Sequence, residues 1–347
     1  MPNTPAADGF RMPPEWAPHD RTWMAWPGPN PTFGEEGGET LAEARRAWAA
    51  VARAVRRFEP VTVVAGTGRA GGARELLGPG IDVVERPLDD AWMRDIGPTF
   101  LTGGGRLAAV DWVFNGWGAQ GWARWENDAL IGAHVAHLAG ARTYTTPLVN
   151  EGGGIHVDGE GTVLLTETVQ LDPDRNPGWT RAEAEAEIHA QLGTERAIWL
   201  PRGLTADYGQ FGTRGHIDIV AAFAGPGVVV VHTQPDPGHP DHEVSREAAE
   251  ILGAATDARG RRIEVVELPA PTAGHDADGQ PADYSYVNHY LCNGGVVLCG
   301  FDDPMDERNA EIFRRLFPER RVTLVDARTI FAAGGGIHCI TQQQPTV

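Results

Sequence analysis

Lysine is missing: all 29 basic side chains in the 347-residue chain are arginine. That excludes a Walker-type phosphate loop, a Schiff-base lysine and a pyridoxal-phosphate anchor. Cysteine is scarce. Three residues cannot form a disulfide framework and suit a reducing cytoplasm, and without a CxxC pair a structural zinc site is not expected. No apolar run approaches the ~18 residues of a spanning helix. The N-terminal MPNTPAADGFRMPPEW lacks the basic start and apolar core of a signal peptide, so the expected location is cytoplasmic. Positive charge is in deficit, with 47 acidic side chains and a net charge of −18. Neither nucleic acid nor an anionic membrane is an expected partner, whereas a cationic ligand gains from the field.

At 41% hydrophobic and 22% charged residues the chain reads as globular. Its 44 glycines and 26 prolines, against a usual ~12% of residues together, favour short elements joined by many turns. Residues 1–33, rich in proline and tryptophan, read as an ordered opening loop. Helical spacing runs from Glu39 to Phe58 and recurs at Ala73–Leu77, Asn127–Leu138, Arg181–Leu192, His242–Leu252 and Glu307–Leu316. Strand-like runs cover Val61–Ala65, Ile81–Val84, Leu107–Phe114, Thr162–Thr166, Val228–Val231, Ile263–Leu268, Tyr284–Leu291, Gly295–Gly300 and Val322–Val325. Loops are expected at 201–203 and 269–281. No linker-type break divides residues 1–347, so a single domain is expected. Gly152-Gly153-Gly154-Ile155-His156 recurs as Gly334-Gly335-Gly336-Ile337-His338, and Gly215-His216-Ile217-Asp218 echoes both. With alternating strands and helices, this hints at a pseudo-symmetric α/β array.

Three motifs carry chemistry. Strand VTVVA leads into Gly66-Thr67-Gly68-Arg69-Ala70-Gly71 and a helix, with Glu85 following, which fits a dinucleotide fingerprint or a plain tight turn. On a strand, His216 and Asp218 would share a face. They could supply two ligands of an iron facial triad with His289 or His338, or a general base beside a substrate carboxylate. Cys339 follows a glycine-rich bend where backbone amides favour a thiolate, unlike Cys292 and Cys299, which sit in apolar runs. Asp95, in Trp92-Met93-Arg94-Asp95, and Glu151 complete an inventory of acids, a histidine and a thiol beside glycines. Such a set can bind a guanidinium by paired charge-assisted bonds and attack its carbon.

The segments MPPEWAPHDRTWMAWP, WMRDIGPTF, DWVFNGWG, EGGGIHVDGEGTVLLTE, RNPGWT, IWLPRGL, GHID, ATDARGRRIEV, SYVNHYLCNGG and GGGIHCITQQQP, in this order over residues 11–345, resemble the agmatine deiminase family, related to bacterial-type peptidylarginine deiminases. The resemblance implies an α/β fold, a five-bladed pseudo-symmetric α/β propeller of the guanidine-modifying enzymes. It implies a hydrolase acting on C–N bonds of linear amidines. Agmatine would become N-carbamoylputrescine on the way to putrescine, through a covalent thiouronium and with neither metal nor organic cofactor. Cys339 then matches the nucleophile and His216 the general acid/base. Asp95 and Asp218 match guanidinium-binding carboxylates, Glu151 the acid that orients histidine or substrate, and Trp92 an aromatic wall of the channel. The implied partner is a small cationic guanidino compound; relatives are often dimers, which makes a homodimer an expectation.

The chain departs from the family pattern in residues 205–215, where an acidic stretch is usual, and at Ile219 and Gly336, where asparagine is usual. Arg214, two positions before His216, would share its face on a strand. There it would grip a carboxylate and disfavour an ammonium, or else pair with Asp207 or another acid of the protein. The alternatives at this stage are a deiminase of another guanidine with a neutral or carboxylate tail, an amidinotransferase, or a His216/Asp218 non-haem iron oxygenase.

Overall fold

The computed structural model describes residues 4–272 and 282–347. The chain opens with β1 (His19–Ala25), β2 (Val61–Ala65) and β3 (Ile81–Glu85). Four three-stranded sheets follow in chain order. They are β4 (Thr99–Gly103), β5 (Arg106–Val113) and β6 (Arg142–Val149); β7 (His156–Val157), β8 (Thr162–Thr166) and β9 (Arg196–Leu200); β10 (Ala221–Gly225), β11 (Val228–Thr233) and β12 (Glu264–Pro269); then β13 (Tyr290–Cys292), β14 (Gly295–Gly300) and β15 (Arg321–Asp326). The last strand, β16 (Thr341–Pro345), returns to pair antiparallel with β1.

Every sheet repeats one unit. Its first two strands are antiparallel and its last two parallel. Parallel neighbours need a crossover, and each crossover carries a helix: Ile131–Leu138, Arg181–Leu192, Asp241–Ala254 and Met305–Leu316. In the sheet β16-β1-β2-β3 the same role falls to helix Glu39–Arg56, between β1 and β2. The result is a five-bladed α/β propeller whose first blade is closed by the last strand.

The sequence explains the packing. Leu41, Ala44, Trp48, Val51, Ala52 and Val55 form one helical stripe, and all are buried, as an amphipathic helix laid on a sheet requires. Strand β2 lies between β1 and β3 and is buried along its length, which explains why it is apolar apart from Thr62. Trp48 is fully buried edge-on to Phe33 and Trp92, at centroid distances of 5.3 and 5.4 Å. The first helix thereby braces the segment that carries Asp95.

Several expectations change here. The opening loop contains β1, an interior strand of its sheet. Residues 284–289 are irregular, with a turn at 286–288, so the run Tyr284–Leu291 is strand only from Tyr290. The expected loop at 269–281 lies, from 273 onward, outside the described residues. The dinucleotide-like turn joins β2 to helix Ala70–Leu77, and Glu85 Oε1 accepts the Ala70 N–H at 2.9 Å. The acid that a ribose would need is spent capping this helix. Among the described residues no helix is long and apolar enough to cross a membrane.

Replacing Trp48 with Ala should cost ~3–5 kcal/mol, the usual range for a large buried aromatic. Urea unfolding should show this as a lower midpoint with an unchanged slope; a loss below ~1 kcal/mol would contradict the bracing role.

Candidate active site

The candidate residues come from segments immediately preceding the first strand of each blade. Asp95 stands before β4, Glu151 before β7, His216 and Asp218 before β10, and Cys339 before β16. The fifth such segment, before β13, supplies Asn288, which sequence reasoning left without a role. Asn288 Nδ2 lies 3.2 Å from Cys339 Sγ and donates to the Asp218 carbonyl at 3.2 Å. Its Oδ1 accepts the His338 N–H at 2.9 Å. One fully buried amide thus ties the thiol to the neighbouring blade.

Cys339, Asp95, Asp218, Glu151 and His216 are all buried. His216 Nε2 is 3.1 Å from Glu151 Oε2, and its Nδ1 is 3.8 Å from Asp95 Oδ1 without a hydrogen bond. Glu151 is shared: Arg175 Nε reaches both its oxygens, at 3.0 and 3.1 Å. Asp95 Oδ2 accepts from Trp117 Nε1 at 2.9 Å and Oδ1 from the Gly153 N–H at 3.0 Å. Asp218 Oδ2 is 2.7 Å from His338 Nδ1 and 3.5 Å from Cys339 Sγ, while among the described residues Oδ1 has no hydrogen-bond partner. Two polar atoms, His216 Nδ1 and Asp218 Oδ1, are therefore buried and unsatisfied, an arrangement that costs stability unless something binds there.

Electrostatics follow from this crowding. Burial pushes the Asp95 carboxyl up to about 6; the nearby Asp218 and Glu151 charges add to the rise, and His216 opposes it. Burial would neutralise His216, yet Asp95, Glu151 and Asp218 raise it to about 9. Glu151 falls to about 2 because Arg175 and His216 outweigh its burial. Burial and the charges of Asp218 and Asp95 raise the Cys339 thiol well above its ordinary value. The resting site is a neutral thiol beside an imidazolium, with an anionic surplus suited to a cation.

Two geometric expectations fail. His216 and Asp218 are not on a strand: His216 caps a short 3-10 turn, Ile217–Ile219. Its backbone N–H is held by Asp207 Oδ2 and Thr213 Oγ1, both at 3.2 Å. Arg214 adopts a left-handed φ of 67° rather than an extended one, so spacing does not set its direction. Its guanidinium is paired with Asp174 at 2.8 Å and Asp172 at 3.2 Å. Trp92 is placed beside the thiol: a Cβ built on Gly335 would lie 2.9 Å from the indole edge and 3.0 Å from Cys339 Sγ. Arg175 and Trp117 were missed because a lone arginine or tryptophan in RNPGWT or NGWG shows no chemistry until its carboxylate partner is known. A cleft of about 900 Å³ between β12 and the helices Asp241–Ala254 and Met305–Leu316 touches none of these residues. Among the described residues, His216 and Asp218 join no third side chain in a set close enough for one metal ion.

A buried thiol, an imidazolium and two carboxylates thus converge before the first strands of the blades, with an anionic surplus. Residues 11–345 match the family model of Porphyromonas-type peptidyl-arginine deiminases, and the chain belongs to that family. It is 76% identical, over 99% of both chains, to a Streptomyces avermitilis protein provisionally named agmatine deiminase. The agmatine deiminase of Pseudomonas fluorescens is 41% identical, over 99% of this chain and 97% of that one. The solved agmatine deiminase of Enterococcus faecalis superposes with a TM-score of 0.93 at 34% identity, covering 100% and 98% of the two chains.

Gly153 is a strict steric requirement, since a Cβ there would lie 2.4 Å from His216 Nδ1. Gly153→Ala should displace the imidazole and lower kcat/KM on the order of 100-fold, the scale of an ångström-sized misplacement, with little change in Tm. Full activity in that variant would refute the placement of His216.

Proposed function

We propose that this protein hydrolyses the guanidinium of agmatine to N-carbamoylputrescine and ammonia, with Cys339 as nucleophile. The observation that carries this reading is the unsatisfied pair, Asp218 Oδ1 and His216 Nδ1, beside a thiol 3.5 Å from Asp218 Oδ2. A guanidinium bound there donates N–H groups to Asp95 and Asp218, and its positive charge offsets the two anions that hold the thiol protonated. The thiol then loses its proton to solvent. The thiolate adds to the guanidinium carbon, and His216 passes a proton to the departing nitrogen, which leaves as ammonia. The thiouronium that remains is attacked by water, one proton of which returns to His216; collapse of the adduct expels the Cys339 sulfur, which takes up the remaining hydroxyl proton as the neutral ureido product forms. Glu151, anchored by Arg175, keeps His216 charged and oriented. Trp92 flanks the thiol.

Agmatine is favoured over a carboxylate-tailed guanidine because Arg214 is already paired with Asp172 and Asp174. Water as acceptor makes the enzyme a hydrolase rather than an amidinotransferase. An ammonia-release screen over agmatine, arginine, guanidino acids and peptidyl arginine, repeated after chelation and desalting, tests the assignment. Agmatine should lead in both series; a guanidino acid in first place, or loss of activity on chelation, would overturn it.

Cys339→Ala should abolish turnover while retaining agmatine binding, and intact-mass analysis of quenched wild type should show the covalent adduct. Ordinary turnover by this variant would end the mechanism. Asp95→Asn should raise KM and lower kcat/KM by a hundred-fold or more, since stripping one partner from a buried charge pair typically costs ~3–5 kcal/mol.

The pH dependence has a definite sign. Binding needs Asp95 as carboxylate, so kcat/KM should fall as pH drops through about 6. Proton donation needs His216 as imidazolium, so it should fall again as pH rises through about 9. A profile rising without limit to high pH would contradict the imidazolium role.

A further inference from the structure

Four buried ionisable groups beside Asp218 have no part in the steps above: Glu15, Arg94, His156 and His338. Glu15 comes from the opening loop, before β1. His156 and His338 are the two histidines of the Gly-Gly-Gly-Ile-His repeat, and their ring centroids lie 6.2 Å apart. The repeat thus delivers two rings to one carboxylate.

His338 bridges two acids. Its Nε2 is 2.7 Å from Glu15 Oε1 and its Nδ1 2.7 Å from Asp218 Oδ2. With an acceptor at each nitrogen, the ring is held as an imidazolium donating both ways. His156 Nδ1 accepts the Phe223 N–H at 3.2 Å, which leaves its proton on Nε2, 3.6 Å from Glu15 Oε2. Arg94 Nη1 stands 3.3 Å from Glu15 Oε1. The donor atoms of Glu15, His156 and His338 are close enough for one metal ion. The hydrogen bonds instead place protons on the nitrogens, and a guanidinium already faces the carboxylate.

We propose that Glu15 is a positioning residue for Asp218 that acts through His338, pinning Asp218 Oδ2 so that Oδ1 alone is presented to the substrate. The inference depends on the reading that Asp218 binds the guanidinium. The charges agree with it. Burial disfavours ionisation of all three groups, yet Glu15 and Asp218 are held below, and His338 above, their ordinary values by their mutual contacts.

The test is a mutant cycle on the full chain, read by steady-state kinetics on agmatine and by Tm. Glu15→Gln should lower kcat/KM ~10- to 100-fold, the range for one lost charge-assisted hydrogen bond, mostly through KM and with cooperative unfolding intact. In an Asp218→Asn background the same change should cost less than ~3-fold, because no carboxylate remains to be pinned. His338→Asn keeps a donor near the Nδ1 position and His338→Gln does not, so the asparagine variant should be the more active. This comparison decides by itself if Glu15→Gln fails to fold. Equal penalties of Glu15→Gln in both backgrounds, or a glutamine variant as active as asparagine, would overturn the relay. Unchanged kinetics in Asp218→Asn would instead remove the substrate-binding role on which the relay depends.

Discussion

A carboxylate stripped of water must find cations or donors, or it takes up a proton. The centre of this propeller packs Glu15, Asp95, Glu151 and Asp218 together, all buried, and the surrounding structure answers that constraint unevenly. Glu151 is saturated by Arg175 and His216, and Glu15 by His338 and Arg94. Asp218 is satisfied on one oxygen only. Asp95 is held by two neutral donors, Trp117 and the Gly153 amide, and among the described residues receives no full countercharge within hydrogen-bonding distance. The shortfall falls on Asp95 and Asp218, the two acids proposed to hold the substrate, where a bound cation would balance the charge.

The five-fold repeat gives this arrangement its economy. Each blade ends its approach to the axis with a turn before its first strand, and each such turn exposes backbone or side chains to the same small volume. Glycines are tolerated there because neighbours stand where a Cβ would be, as at Gly152 against the Arg94 carbonyl and Gly336 against Asn288. Gly336 occupies one of the departures from the family pattern, and the space above it is filled by Asn288 from another blade.

Much of this was legible in the amino-acid sequence. The helices were found because each buries one continuous stripe, and strands such as β2, β8 and β14 because they are flanked on both sides and almost wholly apolar. Most of the first strands of the blades were missed, and β13 was met only as the tail of the longer expected run Tyr284–Leu291. β7 is two residues long and β13 three, too short for any periodicity, and β4 and β16 carry threonine, glycine or glutamine. Cys339, His216, Asp218, Asp95 and Glu151 could be named because each stands in a distinctive motif. Their supports could not: Asn288, Trp117, Arg175 and Glu15 gain meaning only from partners tens to hundreds of positions away. The strand geometry assumed for Arg214 and His216 failed for a local reason. Asp207 accepts the Thr213, Gly215 and His216 amides and folds that stretch into a tight loop.

The closure of the first blade has a consequence in time. Strand β16 reaches β1 across a separation of 321 residues at the Trp23–Gln344 contact, and Cys339 lies just ahead of it. During synthesis, four blades and most of the acids can be in place before the thiol has left the ribosome. The Cys339 sulfur meets the buried carboxylates only when the ring shuts, so an interrupted chain carries those acids without the thiol. Contacts of such span form late and slowly, which makes acquisition of activity a report on the completion of folding.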